Sequence, residues 1–296
     1  MIVVLGATGN TGKPLSFALL EAGKQVRVVG RDAAKAKELT DRGAQLVIGD
    51  SGDPSTLRSA FRGATAVYAM IPFSWNPPDY LAFQRRHVDA LASALPDSGV
   101  THVVSLSSVG ADLPAGAGVV AGLHAMEHAL DAIPGLNTLH LRPTYFMENT
   151  FGLLGMIRAS GIMGSPIRPD LRMNMIATRD IAAYAAKRLL AMDFRGHNVQ
   201  YLLGQRDLTY NEVASVYGAA LGKPDLRYVH FSPADFKQGF LAMGASESLA
   251  DRMNEFIGAL NEGKVLAAAK RDAESTTPTS IEEFAKTFAH VYAMQS

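Results

Sequence analysis

Along the first two thirds of the chain, short runs rich in Val, Ile and Leu alternate with helix-length stretches in which apolar residues recur every three or four positions. The runs IVVL, QVRVV, AQLVI, ATAVYAM, THVVSL and NTLHL, starting near Ile2, Gln25, Gln45, Thr65, Thr101 and Asn137, predict strands. Several are apolar almost throughout instead of alternating with polar residues, the pattern of strands buried on both faces of a parallel sheet. The stretches between them are long enough for crossover helices, so the expected fold class is α/β with a doubly wound parallel sheet. GDPSTLRSAF shows one helix start, with Asp53 as N-cap and Pro54 at the first helical position. From about Phe151 the regularity loosens. The stretch ASGIMGSPIRPDLRMNMI leads to a helix expected to be capped by Asp180, then to a strand NVQYLL near 198–203, then to mostly helical sequence. No repeat or obvious linker interrupts the chain, so this C-terminal part is expected to pack against the sheet.

Composition narrows the function classes. At 296 residues the chain can bury a full-sized core as one large domain or two smaller ones. Lys and Arg number 28, as do Asp and Glu, and no block of like charge stands out, which gives no support for a nucleic-acid or anionic-membrane partner. The absence of cysteine excludes disulfides, cysteine-ligated zinc and thiol nucleophiles. No apolar run approaches the roughly 20 residues that span a bilayer, and MIVVLG is too short for a signal peptide, so a cytoplasmic protein is expected.

The candidate chemistry begins at GATGNTGKP. Gly6, Gly9 and Gly12 follow the first strand and enter a helix, where glycines permit a tight turn and a close backbone approach to a pyrophosphate at the helix N-terminus. Thr8, Asn10 and Thr11 offer hydroxyl or amide contacts; the competing reading is a plain glycine turn. The second strand ends RVVGRDAAKAK. Arg31 and Lys35 suit the 2′-phosphate of NADP(H), while Asp32 keeps NAD(H) open, and the competing reading is solvated charge at a helix mouth.

VLGATGNTG, VVGRDAAKAKEL, VIGDSGDPSTLRSAFRGATAVYAMIP, VVSLSSVG, LHLRPTYFMEN and IATRDIA, in that order, resemble the NmrA-like branch of the atypical short-chain dehydrogenases over nearly the whole chain. Residues 29–39 most resemble its NADPH-dependent quinone reductases. The resemblance implies a Rossmann NAD(P)-binding domain over 1–150, with strand order 3-2-1-4-5-6-7 completed by the strand near 198–203. It also implies a small α+β substrate lobe formed mainly by 151–296. It places Gly6, Gly9 and Gly12 at the pyrophosphate, Arg31 at the 2′-phosphate and Asp50 at the adenine, although Asp50 reads equally as a turn cap. Met70, Ile71, Pro72, Ser108 and Pro143 would border the cofactor. Ser107 and Ser108 stand where related enzymes orient a carbonyl; their plain reading is a loop cap. Tyr145, Phe146 and Asn149 would line the substrate cleft. Phe73 and Trp75 would wall it or, Phe73 the more so, serve as core aromatics. Met173 and Met175 read best as core filler.

One departure bears on mechanism. Carbonyl reduction in this superfamily uses a tyrosine eased by a lysine four residues later, because hydride addition leaves an alkoxide to be protonated. The segment VGADLPAGAGVVAGLHAMEHALDAIPGL contains neither residue. Its His124 and Glu127, three apart on one helix face, are the candidate catalytic pair with Ser107: His124 toward ribose or substrate, Glu127 fixing its tautomer. The competing reading is a structural pair. Tyr184 and Lys187 in YAAK are too closely spaced and lie on a helix expected behind the sheet. HAMEH fits a zinc-protease pattern in a setting that does not suit one, so no metal is expected. The expected function is hydride transfer from NADPH to a small molecule, a quinone fitting best, because its reduced oxygens need no strong acid. The alternative is a non-catalytic redox sensor acting through a protein partner; a sugar epimerase or dehydratase fits worst, since it would keep the Tyr-Lys pair.

Overall fold

The structure, a computed structural model, describes residues 1–294. The sequence-predicted strands are present as β1 (Ile2–Val4), β2 (Val26–Gly30), β3 (Gln45–Ile48), β4 (Ala66–Ala69), β5 (His102–Leu106) and β6 (Asn137–Pro143). They alternate with α1 (Gly12–Glu21), α2 (Ala33–Asp41), α3 (Pro54–Phe61), α4 (Tyr80–Ala94) and α5 (Ala121–Asp131). Beyond Pro143 come β7 (Tyr145–Phe146), α6 (Leu154–Ser160), β8 (Ile162–Ser165), β9 (Met173–Ile176), α7 (Thr178–Ala191) and β10 (His197–Leu202). The chain continues through β11 (Asp207–Leu208), α8 (Tyr210–Leu221), β12 (Arg227–His230), α9 (Pro233–Ala242), α10 (Glu247–Asn261) and α11 (Ile281–Met294).

Seven strands form one parallel sheet in the order β10-β6-β5-β4-β1-β2-β3. Consecutive strand residues go to opposite faces, which explains the unbroken apolar runs. Val4, Val28, Tyr68, Val104 and Leu139 pack beneath α1 and α7 with Leu15, Leu19, Ile181 and Leu189. Val3, Val67 and Val103 pack on the other face with Leu57, Phe61, Leu91 and Met126 of α3, α4 and α5. Strand order reverses between β1 and β4, so the loops after these strands, with that after β5, open a crevice at the carboxyl edge.

A third core belongs to the later chain. Met163, Met173 and Met175 meet Tyr210, Tyr217, Ile257 and Phe288, which assigns the two strand methionines to packing. α7 and β10 return to the large sheet, so the chain after Phe151 serves both bodies. Residues 295–296 of the expected lobe lie outside the described residues.

Asp53 caps α3 through the amides of Ser55 and Thr56, with Pro54 at the first turn as expected. Asp180 does not cap α7. Ala177 is the N-cap, and the Asp180 carboxylate, one turn in, accepts the Thr279 amide at 3.0 Å and hydroxyl at 2.7 Å. The Thr178 amide is met instead by Glu148, at 3.0 and 3.1 Å. Both partners are remote in sequence, so no local window shows them. No helix among the described residues is long and apolar enough to cross a membrane.

Candidate functional site

β1 ends at Val4, and the chain loops through Leu5–Thr11 before α1 begins. Gly6 has φ +64°, a left-handed conformation, and a Cβ there would come 2.7 Å from Met70 Sδ. At Gly12 a Cβ would lie 2.2 Å from the Gly6 carbonyl oxygen, a clash with main chain. Gly9 differs: its amide donates to the Gly6 carbonyl at 2.9 Å, while a Cβ would meet only that oxygen, at 3.3 Å. Its outer side is therefore open, beside exposed Thr8 and Asn10. Among the described residues, the amides of Asn10, Thr11 and Gly12 donate to no main-chain carbonyl, so the N-terminus of α1 presents free donors. This cradle fits a pyrophosphate. Thr11, unlike Thr8 and Asn10, is buried.

At the end of β2, Asp32 Oδ1 accepts the amides of Ala34 at 2.9 Å and Lys35 at 3.4 Å, capping α2. Arg31 and the Lys35 ammonium are exposed and have no side-chain partner among the described residues, a pair of free cations suited to a phosphate. At the end of β3, Asp50 caps its own turn through the Gly52 amide at 2.9 Å and pairs with Arg86 of α4 at 3.0 Å. Burial opposes ionisation of Asp50, but the Gly52 amide and the Arg86 guanidinium prevail and lower its pKa. His87, buried beside it, places Nε2 3.5 Å from Asp50. Burial lowers the His87 pKa. The capping reading of Asp50 thus holds, and α4 brings Arg86 and His87 to it, two residues that the sequence analysis missed.

After β4, Met70 stands against Gly6, whereas Ile71, expected to border the cofactor, is buried in the core under α3, α4 and α5; Pro72 follows it. Phe73 follows and is 59% exposed, which rules out the core reading for it. Trp75 is 39% exposed and held from the C-terminal lobe: Nε1 donates to the Met243 carbonyl at 3.0 Å, and the Ser246 amide donates to the Trp75 carbonyl at 3.2 Å. Its ring lies 5.8 Å from Phe73 and 5.2 Å from Phe240 of α9. Together with Met243, 57% exposed, these rings form an apolar wall joining the β4–α4 loop to the α9–α10 elbow.

The expected pairing of His124 with Glu127 is not formed. The Ser107 hydroxyl, buried, donates to Glu127 Oε1 at 2.5 Å, and Glu127 is gripped by Arg142 of β6 at 3.0 and 2.6 Å. Arg142 also donates to the Tyr201 hydroxyl at 3.0 Å. Residues three apart on a helix are neighbours, but burial beside a guanidinium takes the Glu127 carboxylate inward. His124 instead places Nδ1 2.7 Å from the Ala111 carbonyl, and its ring lies 4.2 Å from that of His128. A donated Nδ1–H there leaves Nε2 as the other ring face. Ser107 is therefore not free to orient a substrate, whereas Ser108, half-buried, makes no side-chain hydrogen bond among the described residues. In HAMEH, Glu127 turns away from the two histidines. Arg142 and Tyr201 were missed; the only signal was a charged residue near the end of an apolar strand.

Beyond Pro143, Tyr145 is half-buried with its ring 6.2 Å from Tyr210, and burial raises its pKa. Phe146 is half-buried and Asn149 exposed. Tyr184 sits on α7 behind the sheet and donates to Glu274 at 2.9 Å; burial and that carboxylate push its phenol up to about 12, against a catalytic role.

A family model described as the NmrA-like family matches residues 1–285. The NAD(P)H azoreductase of Xenophilus azovorans is 33% identical to this chain, across 99% of it and 98% of its own length. The NADPH-dependent quinone oxidoreductase of Escherichia coli, solved with NADPH, has the same fold: TM-score 0.79 and 22% identity, covering 97% of this chain and 99% of that one. The Citrobacter sp. triphenylmethane reductase, solved with NADP(H), gives a TM-score of 0.75 at 22% identity, covering 98% and 100%.

Proposed function

The chain belongs to the NmrA-like family and is an NAD(P)H-binding oxidoreductase, and we propose that it reduces quinones, and azo compounds of similar shape, with NADPH. The observation that carries this reading is the lock among Ser107, Glu127 and Arg142, in a segment that holds neither the tyrosine nor the lysine used for carbonyl reduction in the wider superfamily. An acceptor that suits such a site must need no strong acid. A reduced quinone fits: its oxygens are stabilised phenolates that collect protons from water.

NADPH supplies the hydride when bound. The residues that would hold it are the amides of Asn10, Thr11 and Gly12 at the pyrophosphate, Arg31 and Lys35 at the 2′-phosphate, and Asp50 with Arg86 near the adenine. Met70, Pro72, Ser108 and Pro143 would border its nicotinamide half. Phe73 and Trp75, with Tyr145, Phe146 and Asn149, would orient a flat acceptor and keep water out, which is most of what hydride donation asks of a protein. His124 contributes to the cleft wall through Ala111. On this reading residues 1–150 carry the cofactor site, the later chain mainly the acceptor site, and the protein works in the cytoplasm.

The test is consumption of NADPH by the purified protein. Simple quinones and an azo dye should be reduced well above the uncatalysed rate, and simple ketones and aldehydes should not. Trp75, the only tryptophan, reports binding independently through quenching of its emission by NADPH. Quenching without consumption by any acceptor would establish the sensor reading instead.

A further inference from the structure

We propose that Arg142 is a positioning residue for hydride transfer, holding the loop after β5 and the helix α5 in one arrangement at the carboxyl edge of the sheet. The inference rests on the reductase reading above. Three parts of the chain meet at its guanidinium, and a fourth is reached through Glu127. Nε and Nη2 take the two oxygens of Glu127 on α5, at 3.0 and 2.6 Å. Nη1 donates to Tyr201 of β10 at 3.0 Å and lies 3.8 Å from Asp112 in the loop after β5. Through Glu127, which accepts the Ser107 hydroxyl at 2.5 Å, the end of β5 is tied in as well.

The location is as informative as the bonds. Ser107 directly follows β5, Arg142 is the last residue but one of β6, and Tyr201 is the last but one of β10, so the cluster sits at the crevice edge. It lies outside the two cores that face the large sheet, with Tyr201 packed at the margin of the third. Among the described residues, buried Asp112 Oδ1 has no hydrogen bond, so the guanidinium is the compensating charge beside it. A buried ion pair is seldom the most stable filling of such a space, since apolar side chains of similar volume often do as well or better. What a bidentate Arg–carboxylate pair adds is a fixed geometry. Ser108 adjoins Ser107, and His124 lies one turn before Glu127 with Nδ1 at the Ala111 carbonyl. The position of each follows from the clamp, and small displacements of an acceptor relative to a hydride donor cost large factors in rate.

The deciding variant combines Arg142→Met with Glu127→Leu, replacing the pair by apolar volume. It should melt below the parent, since Asp112 loses its compensating charge, yet stay folded and bind NADPH within about threefold by Trp75 quenching, while kcat with a quinone falls about tenfold to a hundredfold. Amide exchange across residues 107–113 should quicken about tenfold, showing the loop released. Arg142→Lys, which keeps the charge and loses the fork, should recover only part of kcat. Parental kcat in the folded double variant would overturn the proposal. If the double variant does not fold, Ser107→Ala decides: about threefold lower kcat at unchanged melting temperature is expected, and unchanged kcat overturns it. If the parent protein consumes no NADPH with any acceptor, the reductase reading fails by itself. The clamp is then judged by exchange, and an equally protected loop in the variants refutes it.

Discussion

Asp32 turns its carboxylate into the first turn of α2, accepting the amides of Ala34 and Lys35, and leaves its neighbour Arg31 at the end of β2 as a cation without a side-chain partner among the described residues. A carboxylate occupied as a helix cap is poorly placed to grip a ribose hydroxyl, while a free guanidinium is well placed for a 2′-phosphate. NADPH should therefore bind at least about tenfold more tightly than NADH, and Arg31→Ala should remove most of the difference. Titration of Trp75 emission with each cofactor checks this, equal affinities in the parent protein being the contrary result.

The glycine loop separates folding from binding. Gly12→Ala places a methyl group 2.2 Å from the Gly6 carbonyl and should lower stability by about 1–3 kcal/mol. Gly9→Ala meets only a carbonyl at 3.3 Å, so its melting temperature should stay near that of the parent while NADPH affinity drops. Denaturation and cofactor titration on the two variants should give opposite orderings of damage.

His124 acts on the Ala111 carbonyl through Nδ1, a bond that an asparagine amide can reproduce. His124→Ala should lower kcat with a quinone by about tenfold at nearly constant cofactor affinity, and His124→Asn should recover most of it. If His124→Asn is as slow as His124→Ala, the working atom is Nε2 facing the acceptor.

Asp131, at the end of α5, receives Thr138 at 2.5 Å, buried His140 at 2.9 Å and His197 of the edge strand β10 at 3.0 Å. Burial opposes ionisation, but these hydrogen bonds and the neighbouring imidazoles outweigh it, so its pKa is lowered. A folded-state pKa below the unfolded value of about 4 contributes stability that is fully present above that value and lost as pH falls through the folded one. Asp131→Asn should thus be less stable than the parent at pH 7, with the gap closing below about pH 4. Urea midpoints across that range measure it, and a gap independent of pH would contradict the assignment.

The amino-acid sequence by itself determined the parallel sheet, because strands such as Ile2–Val4 and Ala66–Ala69 send alternate residues into two cores and must be apolar throughout. It determined the glycine loop too, since the space at Gly12 and the positive φ at Gly6 are local demands of one turn. The free Arg31 was equally legible, one residue beyond a strand. Tertiary structure alone decided where the polar side chains spend their hydrogen bonds. Glu127 was paired in the sequence with His124, its neighbour on the helix, but its burial made the nearest guanidinium, Arg142 on β6, the stronger claimant. Asp180 reads as a cap in a local window, yet its partner Thr279 arrives from 99 residues away. Phe73 reads as core by composition and stands exposed, because the lobe that meets Trp75 stops short of covering it. Periodicity encodes which face of an element is apolar; which polar group a buried charge finds depends on chain segments that only folding brings together.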